Sequence, residues 1–228
     1  MGAMPEIVPA LLVQDSKEFL RRFELVAPHV ARVQWDIMDG IFVDNVTFSD
    51  PSILDEIDTL GFNPPPKIEA DLMVADPANW ISRLNHPGVD QLIFHFESAS
   101  DWKAIFAQTH AAGLAVGLAV EPTTPLAKYE FLLNQVDRFQ AMGGKSGFGG
   151  QEFNPRVLET VKVVRAKFPK LPISVDIGVN SKTAPAMVAA GAGILVAGSA
   201  IYGAEDPVEA IESLRRAKGG KQNAAEGL

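Results

Sequence analysis

The sequence predicts an α/β protein of the (β/α)₈ (TIM) barrel class, folded as a single domain. Short apolar or β-branched runs alternate with longer amphipathic stretches, and the alternation repeats roughly every 20 to 30 residues, the rhythm of βα units. The 228 residues, 47% of them hydrophobic, suffice for one sizeable core. Strands are read at Ile7–Leu12, Arg32–Ile37, Lys67–Leu72, Gln91–His95, Ala115–Val120, Arg138–Met142, Ile173–Asp176 and Gly193–Ala197. Helices are expected over Ser16–Val26 with Ser16 as N-cap, and after Asp76-Pro77, a cap followed by proline at the first helical position. Further helices are placed over Trp102–Ala112, Pro155–Lys167, Ser181–Ala190 and Pro207–Ala217. That many strand and helix pairs favours a closed barrel over an open doubly wound sheet, the structural alternative. The expected organisation is an N-terminal extension over residues 1–6, partly vector-derived, a barrel over 7–217, and a mobile tail over 218–228.

Composition narrows the function classes. The net charge is −8 and the basic residues are scattered, which argues against nucleic acid as a partner. Cysteine is absent, so disulfides and thiolate metal sites are excluded. The first residues lack the pattern of a secretory signal and no apolar run is long enough to span a membrane, so a cytoplasmic protein is expected, with no membrane partner.

Three aspartates, Asp36, Asp71 and Asp176, fall near the C-terminal ends of three different strands. A parallel barrel gathers such positions into one mouth, where carboxylates are costly unless a metal, a proton or a substrate uses them. Period-two alternation puts Gln34, Asp36 and Met38 on one face of the second strand, and Glu69, Asp71 and Met73 on one face of the third. The same rule aligns Ile93, His95 and Glu97, and then Ser174, Asp176 and Gly178, while Trp35 points outward to the helix layer. A lone aspartate is more often a helix cap or a solvated loop residue, but three at matching strand ends point to an active site. His95, on an otherwise apolar strand end, is as readily a structurally satisfied histidine as a catalytic one. Glycines follow late strands: Gly143, Gly144, Gly147, Gly149 and Gly150 around Phe148 after the sixth, Gly178 after the seventh, and Gly198-Ser199 after the eighth. Such loops let backbone N–H groups approach an anion, which suggests a phosphorylated ligand.

At these residues the chain resembles the ribulose-phosphate 3-epimerases. The matching segments are Asp36-Ile37-Met38-Asp39-Gly40, Leu72-Met73-Val74, His95-Phe96-Glu97, Gly147-Phe148-Gly149-Gly150-Gln151, Val175-Asp176 and Ala197-Gly198-Ser199-Ala200-Ile201. The resemblance implies epimerisation of ribulose 5-phosphate to xylulose 5-phosphate at C3, with Asp36 and Asp176 as the acid/base pair. By the same resemblance the glycine loops (Gly147, Phe148, Gly149, Gly150, Gly178, Gly198, Ser199) form the phosphate site, and Met38, Met73 and Met142 line the reaction centre. It also implies a homo-oligomer. The family holds a divalent metal with two histidines and two aspartates, yet Gln34 and Asp71 stand at the histidine positions here. Nearby, Ile177 interrupts an Asp-Gly-Gly, and Lys145-Ser146 replaces Asn-Pro.

Three readings follow. Asp36, Asp71 and Asp176 with the Gln34 carbonyl could form an oxygen-only site suited to Mg²⁺ or Mn²⁺ over Zn²⁺. Alternatively no metal binds and the crowded carboxylates retain a proton, giving a metal-free epimerase or an isomerase of another sugar phosphate. In the third reading the barrel binds a phosphometabolite without turnover, which the retained aspartate pair argues against. A decarboxylase, read from the spacing of Asp71 and Asp76, lacks its lysine because Met73 occupies that position.

Overall fold

Eight parallel strands close into a barrel in chain order in the computed structural model, which describes residues 4–99 and 101–218. They are β1 (Glu6–Leu11), β2 (Arg32–Met38), β3 (Lys67–Met73), β4 (Val89–His95), β5 (Ala115–Val120), β6 (Arg138–Met142), β7 (Ile173–Asp176) and β8 (Ile194–Ala197). Each lies where its apolar run predicts, within two residues. Glu6 opens β1, so the barrel starts one residue before the expected boundary, and the expected mobile tail falls, from residue 219 onward, outside the described residues.

The helices are α1 (Ser16–Val26), α2 (Ile53–Thr59), α3 (Ala78–Arg83), α4 (Trp102–Ala111), α5 (Val157–Lys167), α6 (Ala184–Ala190), α7 (Ser199–Tyr202) and α8 (Pro207–Arg215). The cap of α1 is Asp15 and not Ser16, because the Asp15 carboxylate accepts from Glu18 N at 2.9 Å. Among the described residues Asp76 caps no backbone N–H either; its Oδ2 accepts from the Asn79 side chain, and Pro77 precedes the first helical residue. Two 3₁₀ turns, Leu126–Lys128 and Glu130–Leu132, replace a helix between β5 and β6.

Strand alternation sorts the side chains into two cores. The outer one, between strands and helices, holds Trp35, whose ring packs edge-on against Phe19 at 5.2 Å and whose indole N–H donates to Phe48 O at 2.9 Å. The inner one is divided by chemistry. Val8, Ala10, Ile194 and Val196 fill the side made by β8 and β1 with branched apolar groups. Gln34, Glu69, Gln91, Arg138, Gln140 and Ser174 are buried across the remaining strands. Parallel register then sets like beside like: Gln34 pairs with Glu69, Asp36 with Asp71, and Met38 with Met73. No helix among the described residues is long and apolar enough to cross a membrane.

Candidate active site

The three aspartates converge as the barrel geometry requires. One carboxylate oxygen from each of Asp36, Asp71 and Asp176 can be chosen so that all lie within 4.8 Å of one another. Asp36 and Asp71 are buried, and Asp176, the last residue of β7, is half-buried. Gln34 lies between two of them: its Nε2 donates to Asp36 Oδ1 at 2.8 Å and to Asp176 Oδ2 at 2.9 Å. The amide therefore presents its nitrogen to the carboxylates, contrary to the expected carbonyl ligand, and its buried Oε1 has no partner among the described residues. A cation at this point would need the opposite amide orientation.

Electrostatics follow from burial. Desolvation raises the Asp36 pKa well above the ordinary carboxylate range, and the neighbouring Asp176 and Asp71 charges raise it further, against the opposing Gln34 hydrogen bond. Desolvation and the Asp71 charge likewise push Asp176 up to about 7, although Gln34 and the Ile177 N–H favour its ionised form. Ile177 N donates to Asp176 Oδ1 at 2.6 Å from a backbone with φ of 70°, a left-handed conformation that costs a β-branched residue energy. That hydrogen bond holds the Asp176 carboxylate from its own backbone.

Asp71 sits beneath the other two. Its Oδ1 lies 2.9 Å from His95 Nε2, and its Oδ2 accepts from Gln140 Nε2 at 3.1 Å. Gln140 Oε1 in turn accepts from Ser174 Oγ at 3.0 Å, while His95 Nδ1 meets Ser146 Oγ at 3.3 Å. His95 is thus fully buried and held on both ring nitrogens. Burial pushes its imidazole down, but the Asp71 carboxylate overrides that and leaves the pKa raised.

Above the aspartates opens a cavity of about 340 Å³. Asp36, Met38, Met73, Met142 and Asp176 line its floor, and Gly147, Phe148, Gly149, Gly150, Gly178, Gly198 and Ser199 line its upper wall. Gln34, Asp71 and His95 support that floor without lining the cavity. The glycine loop is tied down at both ends: Asn45 Nδ2 donates to Gly147 O at 2.8 Å, and Gln151 Nε2 donates to Lys145 O and Phe148 O, each at 2.6 Å. Gly178, at φ of 74°, packs so closely that a Cβ would stand 2.7 Å from the Phe153 backbone. At Gly198 a Cβ would meet nothing nearer than 3.6 Å, so packing does not demand glycine there; its absence of side chain leaves the backbone open to the cavity. Two polar lining residues escaped the reading of the sequence, Arg22 from α1 and Tyr202 from α7.

The donor set suits a hard divalent cation: three carboxylates close together, with no Lys or Arg among the described groups that touch them. The same carboxylates, with two pKa values raised, also suit proton transfer.

A model of the ribulose-phosphate 3 epimerase family matches residues 5–202. The chain is 33% identical to the cytoplasmic isoform of ribulose-phosphate 3-epimerase from Oryza sativa subsp. japonica over 227 residues, covering 97% of this chain and 98% of that protein. It is also 33% identical to ribulose-phosphate 3-epimerase from Mycobacterium tuberculosis (strain ATCC 25618 / H37Rv), covering 94% and 93%. In fold it resembles KGPDC from Streptococcus mutans in complex with D-R5P, with a TM-score of 0.75, 16% identity and coverage of 92% and 95%. At that identity the likeness speaks for the barrel alone. The match along almost the whole chain, in sequence as well as in fold, makes this protein a member of the ribulose-phosphate 3-epimerase family.

Proposed function

We propose that this chain interconverts D-ribulose 5-phosphate and D-xylulose 5-phosphate, with Asp36 and Asp176 exchanging the C3 proton. The observation that carries the reading is the pair itself: two carboxylates from β2 and β7, bridged by one amide, both with raised pKa values, on the floor of a cavity walled by glycine loops. Epimerisation next to a ketone needs one ionised carboxylate to take the C3 proton and one protonated carboxyl to return a proton on the opposite face. As the proton leaves, its bonding electrons shift towards the C2 oxygen and give an enediolate. Near neutral pH, crowded carboxylates at this depth share a proton, so one acid and one base coexist without an outside donor. The reverse reaction exchanges their roles.

Asp36, Asp71 and Asp176 would hold a divalent cation, which we read as Mg²⁺ or Mn²⁺ in preference to Zn²⁺ on the all-oxygen donor set. Such an ion, when bound, supplies positive charge near the oxygens of the enediolate. His95 and Gln140 orient Asp71 from below, as outer-shell partners orient a ligand. A second, metal-free reading rests on Gln34, whose amide N–H groups already bridge Asp36 and Asp176 and offset part of their repulsion. The wall formed by Gly147, Gly149, Gly150, Gly178, Gly198 and Ser199 would take the phosphate through backbone N–H groups. We place the reaction in the cytoplasm, in line with the isoform named above.

The test is formation of xylulose 5-phosphate from ribulose 5-phosphate by the purified protein, first with chelator and then with added Mn²⁺ or Mg²⁺. Turnover restored by either ion supports the oxygen-only metal site, and undiminished turnover in chelator supports the metal-free reading. No turnover under any condition overturns the assignment of this substrate.

A further inference from the structure

The cavity that carries the aspartates is lined by one cation among the described residues, and neither backbone donors nor the carboxylate pair account for it. Arg22 belongs to α1, a helix whose Phe19, Phe23 and Val26 face the barrel. An arginine on such a helix ordinarily extends into solvent. Here the side chain turns to the mouth and is only 25% exposed. Its Nε donates to Glu18 Oε1 at 2.6 Å, its Nη1 to Leu12 O just past β1 at 3.3 Å, and its guanidinium carbon stands 4.9 Å from the centroid of the Tyr202 ring. The remaining nitrogen, Nη2, has no protein acceptor among the described residues. Glu18 does not neutralise it fully, since the same carboxylate also takes two hydrogen bonds from Arg21, at 2.7 and 2.8 Å. Two guanidinium groups thus share one carboxylate.

Position completes the argument. Leu12, which anchors Arg22, follows β1, and β1 pairs with β8, whose end carries Gly198 and Ser199. Tyr202, under the guanidinium, closes the short helix that begins at Ser199. Its hydroxyl is buried without a partner among the described residues, although the residue lines the cavity. The other charged groups on the cavity wall, Asp36 and Asp176, are both acidic, in a chain of net charge −8. A dianionic ligand entering such a site needs local positive charge at one end. We infer that Arg22 is a specificity-determining residue that binds the phosphate of the substrate through its free Nη2, with the Tyr202 ring holding the guanidinium in place and the Tyr202 hydroxyl as a second donor. This rests on the proposed phosphorylated substrate and adds a charged contact to the backbone wall.

The experiment compares the parent with Arg22→Met, Arg22→Gln and, as control, Arg21→Met. Turnover of ribulose 5-phosphate gives kcat and KM, and calorimetric titration with inorganic phosphate gives binding independently of chemistry. Loss of one charge-assisted contact is expected to raise KM and the phosphate Kd about 10- to 100-fold, with kcat changed less than about twofold. Arg21→Met should shift both constants far less, by under about threefold, because Arg21 does not line the cavity and acts only through the Glu18 it shares. Arg22→Gln is neutral and can still donate to Leu12 O, so it decides the matter if Arg22→Met fails to fold. Parent-like phosphate Kd in the folded Arg22 variant overturns the inference and leaves the proposed function standing. A parent that neither turns over ribulose 5-phosphate nor binds inorganic phosphate removes the proposed function and this inference with it.

Discussion

The barrel interior buries carboxylates at two levels, and only one level pairs them with guanidinium cations. Near the N-terminal ends of the strands, Glu69 lies between two arginines, with Arg138 Nη1 at 2.6 Å and Arg32 Nε at 3.4 Å. Near the C-terminal ends, Asp36, Asp71 and Asp176 face one another, with a neutral amide between two of them and His95 beneath the third. Burial pushes both Glu69 and Asp176 up to about 7, so a raised pKa does not distinguish the levels. The partners do. A carboxylate paired with guanidinium groups is part of the scaffold, whereas carboxylates left facing one another repel, and such an arrangement is kept for what it does to a substrate or a cation.

The sharpest way to break this comparison is substitution at each level. Asp36→Asn or Asp176→Asn is expected to lower turnover about 10²- to 10⁴-fold while the far-ultraviolet circular dichroism stays that of the parent. Arg138→Met should leave Glu69 short of its nearest cation and cost about 3 kcal/mol in urea unfolding. The double variant Arg138→Met with Glu69→Met should recover most of that loss, because it removes both charges together. Recovery of turnover at the upper level by any comparable apolar pair would erase the distinction.

A smaller effect is the pH dependence of stability. The folded pKa of Asp176 lies above its unfolded value, so below about pH 4 both states are protonated and the group is neutral in its effect. Between there and about 7 the folded state holds a proton that the unfolded state has lost, and stability falls as pH rises. Asparagine does not titrate. Thermal unfolding of Asp176→Asn should therefore exceed the parent by more at pH 8 than at pH 5, and an equal difference at both values would show that Asp176 is not held protonated.

Much of the fold was legible because its determinants are local. Apolar runs located every strand, and period two put Gln34, Asp36 and Met38 inside and Trp35 outside. The failures also have local causes. Helix α2 follows Pro51 in a stretch with two acidic residues in its first turn and little periodic signal. Helix α6 starts at Ala184 and not Ser181, because the Asn180 side-chain Oδ1 accepts from Lys182 N and Thr183 N and holds a turn there instead. In the site, the aspartates and glycines could be recognised from type and position. Arg22 and Tyr202 could not, since their meeting depends on α1 and the segment after β8 coming together at the mouth. Nor does a sequence say which end of the Gln34 amide faces the carboxylates, or that Ile177 adopts a conformation usually left to glycine.

The central claim is that two carboxylates serve opposite faces of one carbon, and solvent exchange of the C3 proton in deuterated water, followed by NMR, tests it most directly. The parent is predicted to incorporate deuterium at C3 of both sugars. Asp36→Asn and Asp176→Asn are each predicted to retain exchange for one epimer only, the two variants choosing opposite epimers. A parent that leaves both C3 protons in place, or two variants that exchange the same epimer, would contradict the account.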